Sequence, residues 1–246
     1  MKALMKHLLI QFRMDIRERG TLMTYYLIPL VFYLFIGAVF TSVNPLVKNT
    51  LAASMAVFAA TMGAVLGTPV PVVKMRESGV LRAYRVSGIP GWAVPFIHGI
   101  SAFLHLLIVS SIILITAPVF FCAGRPQDYT AFFLTLVMLL FSTIAIGMLI
   151  GAAARSQSMA VMLSQMVFLP TVVLSGIMFP ASMLPEPLRM LGRLLVGTYA
   201  MEAFSGLAYG LATDFSAPWS ILVGACIGIL AAGLAMLRFR RMGKSP

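Results

Sequence analysis

Six apolar runs, each about twenty residues or longer, constrain this chain more than any motif it carries. They cover about residues 22–42, 50–72, 93–121, 130–153, 158–178 and 217–238. A helix needs roughly 20 apolar residues to cross about 30 Å of hydrocarbon. Strands of a membrane barrel are about half that length and alternate in polarity. Inside lipid every backbone N–H and C=O must find a partner within the segment, which leaves the helix. Composition agrees: of 246 residues 60% are hydrophobic and 10% charged, against about 25% charged in a soluble domain. The expected fold is an all-α integral membrane protein, one domain over 1–246 with six transmembrane helices. Pro69, Pro71, Pro95, Pro118 and Pro170 fall in or near the runs. Kinks are expected there, with neighbouring helices satisfying the freed carbonyls.

The net charge of +11 sits between the apolar runs. No basic stripe is interleaved with exposed aromatics, so nucleic acid is not an expected partner. The basic residues set orientation instead. Lys2, Lys6, Arg13, Arg17 and Arg19 precede the first run; Lys74, Arg76, Arg82 and Arg85 follow the second. Arg155 follows the fourth, and Arg238, Arg240, Arg241 and Lys244 end the chain. The opposite side holds Lys48, Arg125, Arg189 and Arg193. Both termini are therefore expected in the cytoplasm. The charge-broken N-terminus does not read as a cleavable signal peptide. Cys122 and Cys226 lack metal or redox spacing and serve as small hydrophobes.

Two segments depart from a plain six-span pattern. In residues 1–20, Leu4, Leu8, Phe12 and Ile16 recur every fourth position, with charge on the other faces. This predicts an amphipathic helix on the cytoplasmic surface, either a lipid anchor or an elbow that also touches a partner. Residues 179–208 are apolar, but Pro180, Pro185, Pro187, Gly192 and Gly197 cut them into pieces too short to span. Leu188, Leu191 and Leu195 mark one helical face, and Arg189 and Arg193 another. Short outer helices that dip in and return fit this pattern, as a packed cap or as a gate.

Between the second and third runs, Arg76 to Arg85 should form a short cytoplasmic helix that Gly88, Pro90 and Gly91 end. Val80, Leu81 and Tyr84 rimmed by Arg76, Glu77, Arg82 and Arg85 describe a protein docking site. The plainer alternative is a loop resting on lipid headgroups.

The stretch RESGVLRAYRVSGIP, Arg76 to Pro90, resembles the cytoplasmic motif of type-2 ATP-binding-cassette (ABC) transporter permeases. The matching positions are Arg76, Glu77, Gly79, Leu81, Tyr84, Arg85, Ser87 and Gly88. SGIMFPASMLP, Ser175 to Pro185, and TYAMEAF, Thr198 to Phe204, are similar to that family's outer re-entrant region. The resemblance covers the whole chain. It implies a transmembrane subunit of a bacterial ABC exporter in the inner membrane, paired with a second permease, identical or related, and with two ATPase subunits. Residues 75–87 would be the coupling helix, with Glu77 paired to a basic residue of the ATPase and Gly79 permitting close approach. Residues 179–208 would be re-entrant helices, with Phe179 and Glu202 as candidate outer-gate residues. The second and fifth spans would line the path, with Thr61, Met62, Met166, Thr171 and Ser175 on it. Such a Met-rich, faintly polar wall suits a hydrophobic or amphipathic cargo: a drug, peptide antibiotic or lipid. Ordinary helix packing explains the same residues equally well.

A phosphate-binding P-loop needs Gly, four residues, then Gly-Lys-Ser/Thr. Gly243-Lys244-Ser245 is preceded five positions earlier by Arg238 and by no strand, so it is a chance tripeptide. ATP and Mg²⁺ are thus expected on a partner, with no cofactor in this chain. His98 and His105 share a face of the third run without an evident nearby acid, which predicts neutral side chains in helix packing. Ser101 lies four residues before His105, which leaves an intramembrane serine protease as the enzymatic alternative, though without an orienting carboxylate. A scaffold with no transport of its own is the third class.

Overall fold

The structure is a computed structural model that describes residues 2–43, 45–80, 93–178 and 183–242. Among these residues every regular element is helical. Helix α1 covers Lys2–Arg17. The first span is built from α2 (Arg19–Leu22), a π turn over Met23–Leu27 and α3 (Ile28–Val43). A 3₁₀ stretch over Pro45–Thr50 leads into the second span, made of α4 (Leu51–Thr61), a π turn over Met62–Leu66 and α5 (Pro69–Glu77). Spans three, four and five are α6 (Ala93–Phe121), α7 (Tyr129–Ala153) and α8 (Gln157–Leu174). Two short helices follow, α9 (Glu186–Gly192) and α10 (Val196–Ala203), then a π turn over Phe204–Ala208. Helix α11 (Ala217–Met242) is the sixth span.

Among the described residues six helices are long and apolar enough to cross a membrane, as the apolar runs predict. The fifth differs in length: the expected run to residue 178 stops at Leu174, where Ser175 closes the helix and Gly176 turns left-handed at φ 77°. The second is longer than expected and stays helical to Glu77.

The second span is the centre of the bundle. All eleven residues of α4 are buried. Its sequence, LAASMAVFAAT, is rich in alanine, and small side chains let neighbouring backbones approach when lipid offers no hydrophobic drive to associate. Span four reaches this centre through Gly147 and Gly151. A Cβ on Gly147 would sit 2.2 Å from Thr68 Oγ1 and 2.4 Å from the Ala64 carbonyl oxygen. A Cβ on Gly151 would sit 2.9 Å from Val72 Cβ. Span six meets span four in the same manner. Gly228 faces Ser142, whose hydroxyl donates to the Gly224 carbonyl at 2.9 Å.

The π turn at Met62–Leu66 brings Gly63 and Gly67 against Tyr25 of the first span. Tyr25 is fully enclosed there. At the far end Phe132 packs on Phe204 at 4.7 Å between centroids, which holds the segment after α10 against span four. Pro118 and Pro170 lie inside continuous helices. Pro69 stands at the start of α5, where its missing N–H costs nothing.

Candidate functional site

The bundle has a basic end, which carries Lys74, Arg76, Arg155, Arg238 and Arg240. There the last turn of α5 is tied to its neighbours. The Arg76 guanidinium donates to the Ala154 carbonyl at 2.5 Å. That carbonyl follows α7 and has no partner within a helix, so a cation suits it. The Gln157 amide donates to Glu77 Oε2 at 2.7 Å. Lys74 and Glu18 pair at 3.8 Å, both exposed, which stabilises little. The end of span two is thereby fixed to the turn between spans four and five.

The expected loop helix over 75–87 needs correction at its start. Met75, Arg76 and Glu77 belong to α5, and the chain turns at Ser78 and Gly79, whose N–H groups return to Lys74 and Arg76. Gly79 has φ 72° with nothing within 4 Å of a Cβ built on it. Its conformation, rather than close approach by a described residue, requires glycine. Leu81, Tyr84 and Arg85 lie outside the described residues.

Beneath this corner α1 contributes a buried carboxylate. Asp15 is 3% exposed. The Ser101 hydroxyl donates to its Oδ2 at 2.5 Å and the Gln11 amide to its Oδ1 at 2.9 Å. His105 Nε2 stands 3.7 Å from Oδ2. On its other side, His105 Nδ1 lies 2.7 Å from the Tyr26 hydroxyl. If Tyr26 donates there, the ring proton sits on Nε2 and faces the carboxylate. Phe12 stacks on the same imidazole at 4.2 Å and 4°. Burial pushes the Asp15 carboxyl up, but hydrogen bonds from His105, Ser101 and Gln11 and the field of His98 outweigh it and hold the carboxyl below its usual range.

The expectation that His98 and His105 lack a nearby acid is therefore overturned. Asp15 reaches them from a helix some 80 residues earlier in the chain. The amphipathic stripe of α1 is also turned by one position. Leu8, Gln11, Phe12 and Asp15 face the bundle, while Ile16 is exposed. The carboxylate supplies one missing part of a serine hydrolase, but the wiring is wrong. Ser101 gives its proton to Asp15 and not to His105, and both Ser101 and His105 are fully buried. A nucleophile needs its base within hydrogen-bond reach and substrate access. The cluster instead fastens α1 to span three.

The residues expected on a transport path divide into three groups. Thr61 and Met62 are buried in the central span. Thr171 and Ser175 are buried against α10, where a Cβ on Gly197 would lie 2.7 Å from Thr171 Cγ2 and 2.8 Å from Ser175 Oγ. The Thr198 hydroxyl donates to the Gly192 carbonyl at 2.6 Å and meets the Ser175 hydroxyl at 3.3 Å, which links the two segments. Met166 stands apart on the outward face of α8, 66% exposed. Glu202 accepts the Asp214 N–H at 3.0 Å and so anchors the approach to span six. Partial burial, then Asp214, raises its carboxyl pKa. Phe179 lies outside the described residues. Arg193 lies over the Phe215 ring at 5.2 Å, and Arg189 pairs with Glu186.

Sequence reading missed three features. Asp15 was invisible because a lone acid in a charged amphipathic helix looks solvated. The pair Gly147-x-x-x-Gly151 was findable, since that spacing marks close helix approach in membranes. Gln165 is an amide exposed halfway along α8, and a polar group at that depth, uncovered by its own chain, is a signal in itself.

The comparisons with known proteins bear on this assembly as a whole. The family described as ABC-2 type transporter matches residues 4–209. ABC transporter G family member 20 of Dictyostelium discoideum is 26% identical over 153 residues, which is 62% of this chain and 21% of that protein. The chain thus spans about a fifth of the length of that relative. The match runs from α1 through all the spans but the last, together with both short helices, and the chain belongs to the ABC-2 type transporter family, as a multi-pass membrane protein.

Proposed function

We propose that this chain is the transmembrane subunit of an ATP-driven exporter, with ATP hydrolysed by two separate ATPase subunits. The family match over residues 4–209 carries the reading. The basic end is the cytoplasmic side of a bacterial inner membrane, by the distribution of Lys and Arg. The segment from 75 to 87 docks in the ATPase. Arg76 and Glu77 support this role by bracing its near end against Ala154 and Gln157, so that a displacement there moves spans two, four and five together. ATP drives the change by binding one arrangement of the assembly more tightly than another.

A second permease covers the open face of α8. Met162, Met166, Leu169 and Val173 are exposed along it, and Gln165 lies among them. An amide facing hydrocarbon is costly, whereas one facing a partner or a cargo route is not. The cargo is a hydrophobic or amphipathic compound that slides along this Met-rich wall.

The test is cotransport with purified parts. Vesicles holding this chain and the ATPase should move a hydrophobic dye when ATP is supplied, and vesicles holding this chain alone should not. Glu77→Arg should weaken copurification of the ATPase. Transport without the ATPase, or full copurification after Glu77→Arg together with an unchanged rate, would refute the reading.

A further inference from the structure

An apolar groove of about 370 Å³ opens on the flank of the bundle between spans three, four and six. Gly99, Ala145, Ala232 and Ala235 are the small residues that line it, and among the described residues no polar side chain does. It occupies the start of α6 and the ends of α7 and α11. All three lie at the basic end, so the groove sits within one leaflet and not at mid-membrane.

Directly past it lies positive charge. Met236 lines the groove, and Arg240 follows four residues later, one helical turn nearer the water. Arg238, two residues before Arg240, is exposed on another face of the helix. The chain has seven acidic residues, and each is placed elsewhere. Asp15 meets Ser101, Glu18 meets Lys74, and Glu77 meets Gln157. Asp128 caps α7 at its opposite end, Glu186 meets Arg189, and Glu202 holds the backbone of Asp214, which itself lies just before the start of α11 at the far end from Arg240. No acid of this chain pairs with Arg238 or Arg240 among the described residues.

We propose that this groove is a binding site for an anionic phospholipid. One acyl chain lies along the alanine and glycine lining, and the phosphate meets Arg240. Both halves of the ligand are required by what the site presents. A greasy trough without charge would take any lipid tail, and an arginine without a trough would take any anion. Their spacing of one turn matches a molecule whose charge begins where its hydrocarbon ends.

The test uses a reporter in the groove. Trp92 and Trp219 are the two tryptophans of the chain. They are replaced by Phe, and Met236→Trp places one fluorophore at the site. The full chain is reconstituted with chain-brominated phosphatidylglycerol or chain-brominated phosphatidylcholine, diluted in unbrominated phosphatidylcholine. Quenching should favour phosphatidylglycerol by about fivefold in apparent affinity, the factor one basic residue near an anionic lipid supplies. Arg240→Gln should bring that ratio near one, and Arg240→Lys should keep most of it. Ala145→Leu should fill the trough and lower quenching by both lipids. Equal quenching by the two lipids overturns the proposal, and so does a preference that survives Arg240→Gln. Quenching by neither lipid would mean that protein covers the groove, which also overturns it.

Discussion

Ser101 Oγ donates a hydrogen bond of 2.5 Å to Asp15 Oδ2 across 86 positions of sequence. This bond joins the surface-type helix α1 to span three inside a shell of aromatic rings. Removing the acceptor leaves Ser101, Gln11 and His105 facing a void. Asp15→Ala should therefore destabilise the fold by about 3 kcal/mol, toward the upper range for a buried, charge-assisted network. Ser101→Ala removes one donor and should cost about 1–2 kcal/mol. Thermal unfolding in detergent measures both. Equal stability of Asp15→Ala and the parent would mean that α1 is not held by this cluster.

The same carboxyl sets an acid limb of stability. Its folded pKa lies below the unfolded value of about 3.9. A depressed acid contributes stability that is fully present above the unfolded pKa and is lost as pH falls through the folded one. The melting temperature difference between the parent and Asp15→Asn should thus be constant from pH 8 to about pH 5 and shrink below about pH 4. A difference that shrinks near neutral pH would contradict the assignment.

Gly79 separates conformation from contact. At φ 72°, with no described residue within 4 Å of a Cβ built there, Gly79→Ala should cost about 1–2 kcal/mol from backbone strain. Gly79→Asn should cost less, since Asn tolerates the left-handed region. Should both variants unfold like the parent yet lose ATPase copurification, close approach by a partner would be the reason for this glycine after all.

Gly147 tests packing at the centre. A methyl group there would meet Thr68 Oγ1 and the Ala64 backbone at 2.2 and 2.4 Å. Gly147→Ala should destabilise by about 3 kcal/mol or more, because backbone cannot step aside as a flexible side chain does. Gly233 meets nothing within 4 Å, so Gly233→Ala should be neutral or stabilising by up to about 1 kcal/mol. The two melting temperatures, measured side by side, decide whether close backbone approach or helix propensity governs glycine in this bundle.

The chain's six spans were legible because burying an apolar run in hydrocarbon is a local affair. Each run satisfies its own backbone and needs no knowledge of its neighbours. Met62, read as a path residue, shows where such reading stops. Periodicity cannot say whether a residue faces hydrocarbon, a partner or its own bundle, since all three accept the same apolar side chain. The structure buries Met62 and leaves Met166 outside. The last turn of α5 shows a second limit. Met75 to Glu77 read as the start of a new helix, yet the turn falls at Gly79, because Arg76 and Glu77 find partners at Ala154 and Gln157 that keep span two helical.

By itself, then, the sequence determined that this protein is a bundle of six membrane helices with its positive charge gathered at one end. Length, hydropathy and charge act residue by residue and need no fold to be read. The tertiary structure alone decided that Asp15 is interior, that glycines on spans two and four set how closely the helices approach, and that an apolar trough opens one turn before Arg240. Those facts depend on which groups from distant parts of the chain come within a few ångströms, and short-range forces between such groups leave no trace in linear order.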